Sequence, residues 1–131
     1  TWDLQKLALS QMTRVLKKGG KLLLSEASKQ GWENMNKLRL EFGLKEIKQP
    51  WFNLYLDDTK LCDFLEKNNL EKIEVINFSS TYYIGSRVIQ PFVIGKDKEP
   101  RYDSEINRLF SFLPNYGDYG TQKFYSFIKK K

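Results

Sequence analysis

Histidine is absent from the 131 residues, cysteine occurs once, and no apolar run is long. Each shortage removes a class of chemistry. Without histidine neither a Ser-His-Asp nor a Cys-His triad can be built, and a single cysteine with no histidine argues against a structural or catalytic zinc site. Any general base must therefore be Asp, Glu, Tyr or Lys. Cys62 has no internal disulfide partner, which agrees with a reducing compartment. No stretch approaches the ~20 apolar residues that span a bilayer, and no secretory leader opens the chain, so a soluble, cytoplasmic protein is expected. Glycine is present eight times, yet no G-x-G follows a strand pattern and no phosphate-cradling loop can be assigned.

What is present is enough for a core. Apolar residues make up 40% and aromatics 15%, a composition that disfavours intrinsic disorder. Twenty-two basic residues against sixteen acidic ones give a net charge of +6 and a pI near 9.3. That balance favours polyanions electrostatically. Apart from Lys129-Lys130-Lys131, which reads as a solvated tail, the basic residues are dispersed and no arginine-rich tract occurs. Gly117-Asp118-Tyr119-Gly120 has the spacing of a KH-type loop but carries an acid and follows no suitable helix pair. A nucleic-acid-binding module is an alternative that these features argue against.

The segment from Asp3 to Leu16 places Leu4, Leu7, Ala8, Met12, Val15 and Leu16 at helical spacing, with Asp3 positioned to cap the first turn. Lys17 and Lys18 suit the negative end of the helix dipole, and Gly19 can adopt the left-handed conformation that stops it. Leu22-Leu23-Leu24 is too short for another helix and lacks polar alternation, which predicts a strand covered on both faces. Together these make a helix, a tight glycine turn and a buried strand.

The wording Met12-Thr13-Arg14-Val15-Leu16-Lys17-Lys18-Gly19-Gly20-Lys21-Leu22-Leu23-Leu24 resembles the R-V-L-K-P-G-G segment of class I S-adenosylmethionine-dependent methyltransferases. In that family the segment joins the helix before the fifth strand to that strand; Lys18 stands where many members have proline. The resemblance implies an α/β fold, the C-terminal part of a Rossmann-like methyltransferase sheet: about three strands flanked by helices, the last strands partly antiparallel, one of them hydrogen-bonded beside the fifth. It implies a single partial domain over residues 1–131 that begins just after the fourth strand. The family's glycine-rich cofactor turn has no counterpart here, so the cofactor S-adenosylmethionine belongs to the intact parent, and this portion is expected to be inactive alone. Methyl transfer from a sulfonium tolerates the lack of histidine, because the donor is already activated and alignment is the main task.

Downstream, Trp32, Met35, Leu38 and Phe42 share a helical face that Gly43 can close. Asp57-Asp58-Thr59 offers a cap for a helix carrying Leu61, Phe64 and Leu65, ended by Asn68-Asn69, with Cys62 as a small packing residue. Ile73, Val75 and the Phe78 region read as a strand, as does Gln122 to Ile128, where Phe124, Ser126 and Ile128 alternate against Tyr125 and Phe127. Between them Tyr82 to Val93 is either a helix up to Pro91 or extended, and Arg101 to Leu113 reads as a helix capped by Asp103 or Ser104. Asn77-Phe78-Ser79 matches a glycosylation sequon by chance of composition.

Residues 79–120 are expected to be the substrate-specificity insertion, since open α/β sheets select ligands through elements at their carboxyl end. Tyr82, Tyr83, Arg87, Tyr102, Tyr116 and Tyr119 are candidates to line its pocket. Glu26, at the carboxyl end of the expected fifth strand, is the candidate catalytic residue that orients or deprotonates the acceptor, with Ser25 beside it. Arg39 on its helix is explained by an anionic acceptor or by an internal ion pair. The expected substrate is a small-molecule acceptor, given the lack of a polybasic array. A third reading is a non-catalytic interaction domain: if the strand before 22–26 is missing, its edge is naked and favours self-association.

Overall fold

A computed structural model describes residues 1–96, 98 and 101–130 of the chain. Helix α1 spans Trp2–Val15, strand β1 Lys21–Ala27, helix α2 Lys29–Glu41, helix α3 Asp58–Lys67 and strand β2 Leu70–Ile76. A helical run follows, made of α4 (Ser80–Ile84), a π-turn (Gly85–Ile89) and α5 (Gln90–Ile94); helix α6 (Glu105–Phe112) and strand β3 (Gln122–Lys129) complete the order. Within the expected insertion 79–120, residues 97, 99 and 100 lie outside the described residues, as does Lys131 of the terminal lysines.

The three strands form one sheet in the order β1-β3-β2. Both neighbours pair antiparallel with β3, so β1 and β2 run parallel to each other with the last strand inserted between them. Leu22 lies opposite Phe127, Leu24 opposite Tyr125 and Glu26 opposite Lys123. A bulge between Lys72 and Glu74 interrupts the other ladder.

Helix α1 starts one residue earlier than the spacing implied. Thr1 is the cap, its side chain accepting from the Leu4 amide, and Asp3 sits in the first turn, where a negative charge suits the dipole. The helix stops at Leu16, and Gly19 takes a φ of 75° in the turn that follows. Lys129 is no solvated tail residue: its ammonium donates to the carbonyls of Thr13 and Leu16, each at 2.9 Å, and so closes the carboxyl end of α1. Helix α3 is capped at Asp57, which accepts from the Lys60 amide, and ends at Asn68, with Asn69 at a φ of 67°.

The main core lies on the face of the sheet that carries Leu22, Tyr125 and Phe127, covered by Leu9 of α1 and by Leu61 and Leu65 of α3. The opposite face corrects the expectation of a strand buried on both sides. Leu23 is 55% exposed, because α1 and α3 lie together on one side and no described element covers the other. The outward side of α1 is apolar as well, with Leu4, Leu7 and Val15 exposed.

A second, smaller core holds the remaining helices. Met35, Leu44 and Val88 are buried there, with Leu38, Phe42, Tyr83, Ile84 and Tyr119 packed around them. Gly43, at a φ of 64°, closes α2 as its spacing implied. Helix α6 is capped by Ser104, whose hydroxyl accepts from the Asn107 amide, while Asp103 pairs with Arg101 instead. No helix among the described residues is long and apolar enough to cross a membrane.

Candidate functional site

The carboxyl ends of β1 and β2 open toward α2, the helical run 80–94, α6 and the loop before β3, which together form a cap. Its seams are polar. Ser80 Oγ donates to the Tyr116 carbonyl at 2.6 Å and accepts from the Tyr119 amide at 2.9 Å. Thr81 Oγ1 does the same between the Pro114 carbonyl and the Tyr116 amide. Asn77 spends its amide on Asp118 and on the Gly120 carbonyl, each at 2.8 Å, so the sequon asparagine is a clamp between β2 and the loop. Asp118, the Tyr119 amide and the Gly120 carbonyl of the Gly117–Gly120 loop are bonded within the fold.

Beneath the clamp lies a charge cluster that alternation alone did not reveal. Lys123, whose side chain is only 5% exposed, places its ammonium 2.6 Å from Asp58 and 2.8 Å from Asp118. Tyr125 donates to the other Asp58 oxygen at 2.7 Å. Burial first, and then this hydrogen bond to a carboxylate, push the Tyr125 phenol far above its ordinary range. The sequence signal for the cluster is a lysine in phase with Tyr125 and Phe127, on the covered side of its strand. One buried cation held by two acids ties α3, the loop and β3 together.

The helical run carries a second cluster. Pro91 has no N–H to give the Arg87 carbonyl four residues earlier. Arg39 Nη1 of α2 donates to that carbonyl, and Arg39 Nε donates to the Lys45 carbonyl at 2.8 Å. Of the two alternatives for this segment the helix is the one formed, but it does not end at Pro91, which lies inside the run after the π-turn, where an arginine from a neighbouring helix supplies the missing donor. Of the two explanations for Arg39, the internal ion pair is not made: no described carboxylate lies within 4 Å of it. Burial, and then the positive charge of Arg87, hold its pKa below the ordinary guanidinium value.

Arg87 itself lies between two aromatic rings. Its guanidinium carbon is 5.2 Å from the Tyr102 ring centre and 5.9 Å from that of Tyr83, and Nη2 donates to the Tyr102 hydroxyl at 2.7 Å. Tyr55, packed edge-on against Trp32, is held neutral mainly by burial, and then by Tyr83; Arg87 opposes that rise. Arg39, Tyr83, Arg87 and Tyr102 are thus brought together, with Tyr82 edge-on to Tyr83. Tyr116 and Tyr119 belong to a neighbouring cleft of about 380 Å³, shared with Asn34, Lys37, Glu41 and Asp118.

Glu26 is apart from these. It lines a groove of about 170 Å³ between α1 and the outer edge of β1, with Gln5, Met12 and Leu24. Although it pairs with Lys123 in register, it forms none of the described ion pairs. Ser25 is exposed on the uncovered face. No group of three or more metal-ligating acids or cysteines occurs among the described residues. Compared with known proteins, the chain matches no family model and no curated protein.

Proposed function

We propose that the chain is the C-terminal portion of a class I S-adenosylmethionine-dependent methyltransferase whose cap, residues 79–120 with α2, holds a small-molecule acceptor. The observation that carries the reading is the sheet order. A glycine turn leads into β1, and an antiparallel last strand lies hydrogen-bonded beside it, as the resemblance implies for the fifth strand and its neighbour. The ligand side of such a sheet is the carboxyl end of its parallel strands, and the arginine and tyrosine cluster lies in the cap at that end.

The residues present do not form a cradle for the cofactor. Gly19-Gly20 sits at the amino end of β1, and at the carboxyl end Gly31 and Gly120 press on each other so closely that a Cβ on Gly31 would overlap the Gly120 carbonyl. What this chain supplies is the acceptor side, an apolar and aromatic wall with two arginines; Glu26, in its separate groove beside α1, is the carboxylate at the strand end available to take a proton.

Calorimetric titration of S-adenosylhomocysteine into the chain and into the product of the whole reading frame that contains it tests the proposal. Binding by the whole product is expected. In that product Glu26→Gln is expected to lower turnover about a hundredfold while leaving this binding unchanged. Binding by neither protein overturns the methyltransferase reading.

The interaction-domain reading has its own observation. Leu56 meets only the carboxyl end of the outer edge of β1, its amide donating to the Ala27 carbonyl at 2.8 Å; along residues 22–26 that edge has no strand partner among the described residues, and the apolar side of α1 lies next to it. Sedimentation at micromolar concentration tests it: self-association is expected through residues 22–26, and a clean monomer counts against it.

A further inference from the structure

We propose that Arg87 anchors the phosphate group of a small phosphorylated ligand, gripping it with the guanidinium edge that no described residue occupies beside Tyr83 and Tyr102. A guanidinium offers five N–H donors in a planar fork. One is spent on the Tyr102 hydroxyl, and the two rings lie within cation-π distance of the guanidinium. The remaining edge is the part that pairs with a tetrahedral oxyanion through two parallel hydrogen bonds.

Charge selects the ligand. Arg39 brings a second guanidinium onto the main-chain carbonyl of Arg87, near enough for the two charges to act on each other, and among the described residues neither arginine has a carboxylate within 4 Å. The acid nearest in sequence to Tyr102 is Asp103, and it is committed to Arg101 by two hydrogen bonds at 3.1 and 2.8 Å. Two half-buried like charges with no partner acid among the described residues are costly unless an anion joins them. A phosphate monoester carries a charge of about −1.5 to −2 at pH 7, which matches the pair better than a single carboxylate does.

The backbone is built to hold this arrangement. The π-turn puts Arg87 out of ordinary α-helical phase, and such turns recur at functional sites. Gly85 at its start lies against Phe110 so tightly that a Cβ would overlap the ring, which sets α6 firmly on the turn. Only the claim that the phosphorylated ligand is the methyl acceptor rests on the function proposed above; the phosphate site requires neither cofactor nor catalysis.

The test follows the arginine Nε–H resonances of the 131-residue chain during titration with inorganic phosphate at pH 7 and constant ionic strength, with sodium acetate in parallel. The Arg87 resonance is expected to shift saturably with phosphate and about tenfold more weakly with acetate. Arg87→Lys is expected to abolish the saturable shift elsewhere in the cluster. Tyr102→Phe, at a site 66% exposed where folding is not at stake, is expected to weaken phosphate binding several-fold and keeps the test alive if the arginine variant does not fold. A shift that never saturates, an equal response to acetate, or unchanged affinity in Tyr102→Phe overturns the proposal. A saturable phosphate shift in a protein whose parent binds no S-adenosylhomocysteine separates the two claims: the site stands and methyl transfer falls.

Discussion

The base of this molecule and its cap are stabilised by different physics. The base buries Leu22, Leu61, Leu65, Leu70, Tyr125 and Phe127 in one apolar layer between the sheet and two helices. The cap has a much smaller apolar centre around Met35, Leu44 and Val88, and its seams, both internal and to the sheet, are hydroxyl and amide side chains that bond to backbone. Hydrophobic burial is non-directional and tolerates local rearrangement, whereas such hydrogen bonds fix a geometry but contribute little net free energy each. A cap built that way suits recognition, where position matters more than bulk stability.

Substitutions at the two levels sharpen that contrast. Leu65→Ala in the fully buried core of the base is expected to cost about 3–4 kcal/mol in urea unfolding, and to melt base and cap together. Lys123→Met strands two carboxylates, and a broken buried pair costs about 3–5 kcal/mol; with Asp118 half exposed the expected loss is nearer about 2–3 kcal/mol, measured in the same way. Ser80→Ala removes one bond given and one received at the clamp, for an expected loss of about 1–2 kcal/mol, visible as faster amide exchange in the cap with the base unchanged. Asp57→Ala removes the α3 cap and is expected to cost about 1 kcal/mol.

Two pH effects follow from the same contacts. The Asp57 carboxyl titrates below its ordinary value, chiefly because it accepts from the Lys60 amide. Its contribution is therefore present above the unfolded pKa and lost as pH falls through the folded one, so Asp57→Ala is expected to flatten the acid limb of the stability curve. Tyr125 titrates in the opposite sense. Its folded pKa is raised, so its contribution is full below the ordinary phenol value of about 10 and declines as pH rises beyond it. Tyr125→Phe is expected to remove that decline from alkaline unfolding curves.

The base was legible in the sequence because its signals are periodic. Helical spacing and a glycine pair mark α1 and its end, Asp57 and Asn68 bracket α3, and the aromatic and apolar run from Phe124 to Ile128 marks β3. One-sided coverage of the sheet was not legible, since an apolar run such as Leu22-Leu23-Leu24 does not say whether both sides have partners. The candidate site was legible as residue types, and the structure brings Arg39, Tyr83, Arg87 and Tyr102, four of the seven expected substrate-side residues, into one cluster. Its construction was hidden. That Pro91 leaves a carbonyl for Arg39, and that a π-turn carries Arg87, depend on helices distant in sequence. The Lys123 cluster was hidden for the same reason, because its acids come from α3 and from a loop.

Native-state hydrogen exchange of the 131-residue chain across a denaturant series tests the division into base and cap most directly. The account predicts two levels: amides of α3 and β3 exchanging only through global unfolding, and amides of residues 80–94 and α6 exchanging through a smaller opening that Ser80→Ala lowers further. A single level shared by all of these amides, moved equally by Leu65→Ala and Ser80→Ala, would contradict it.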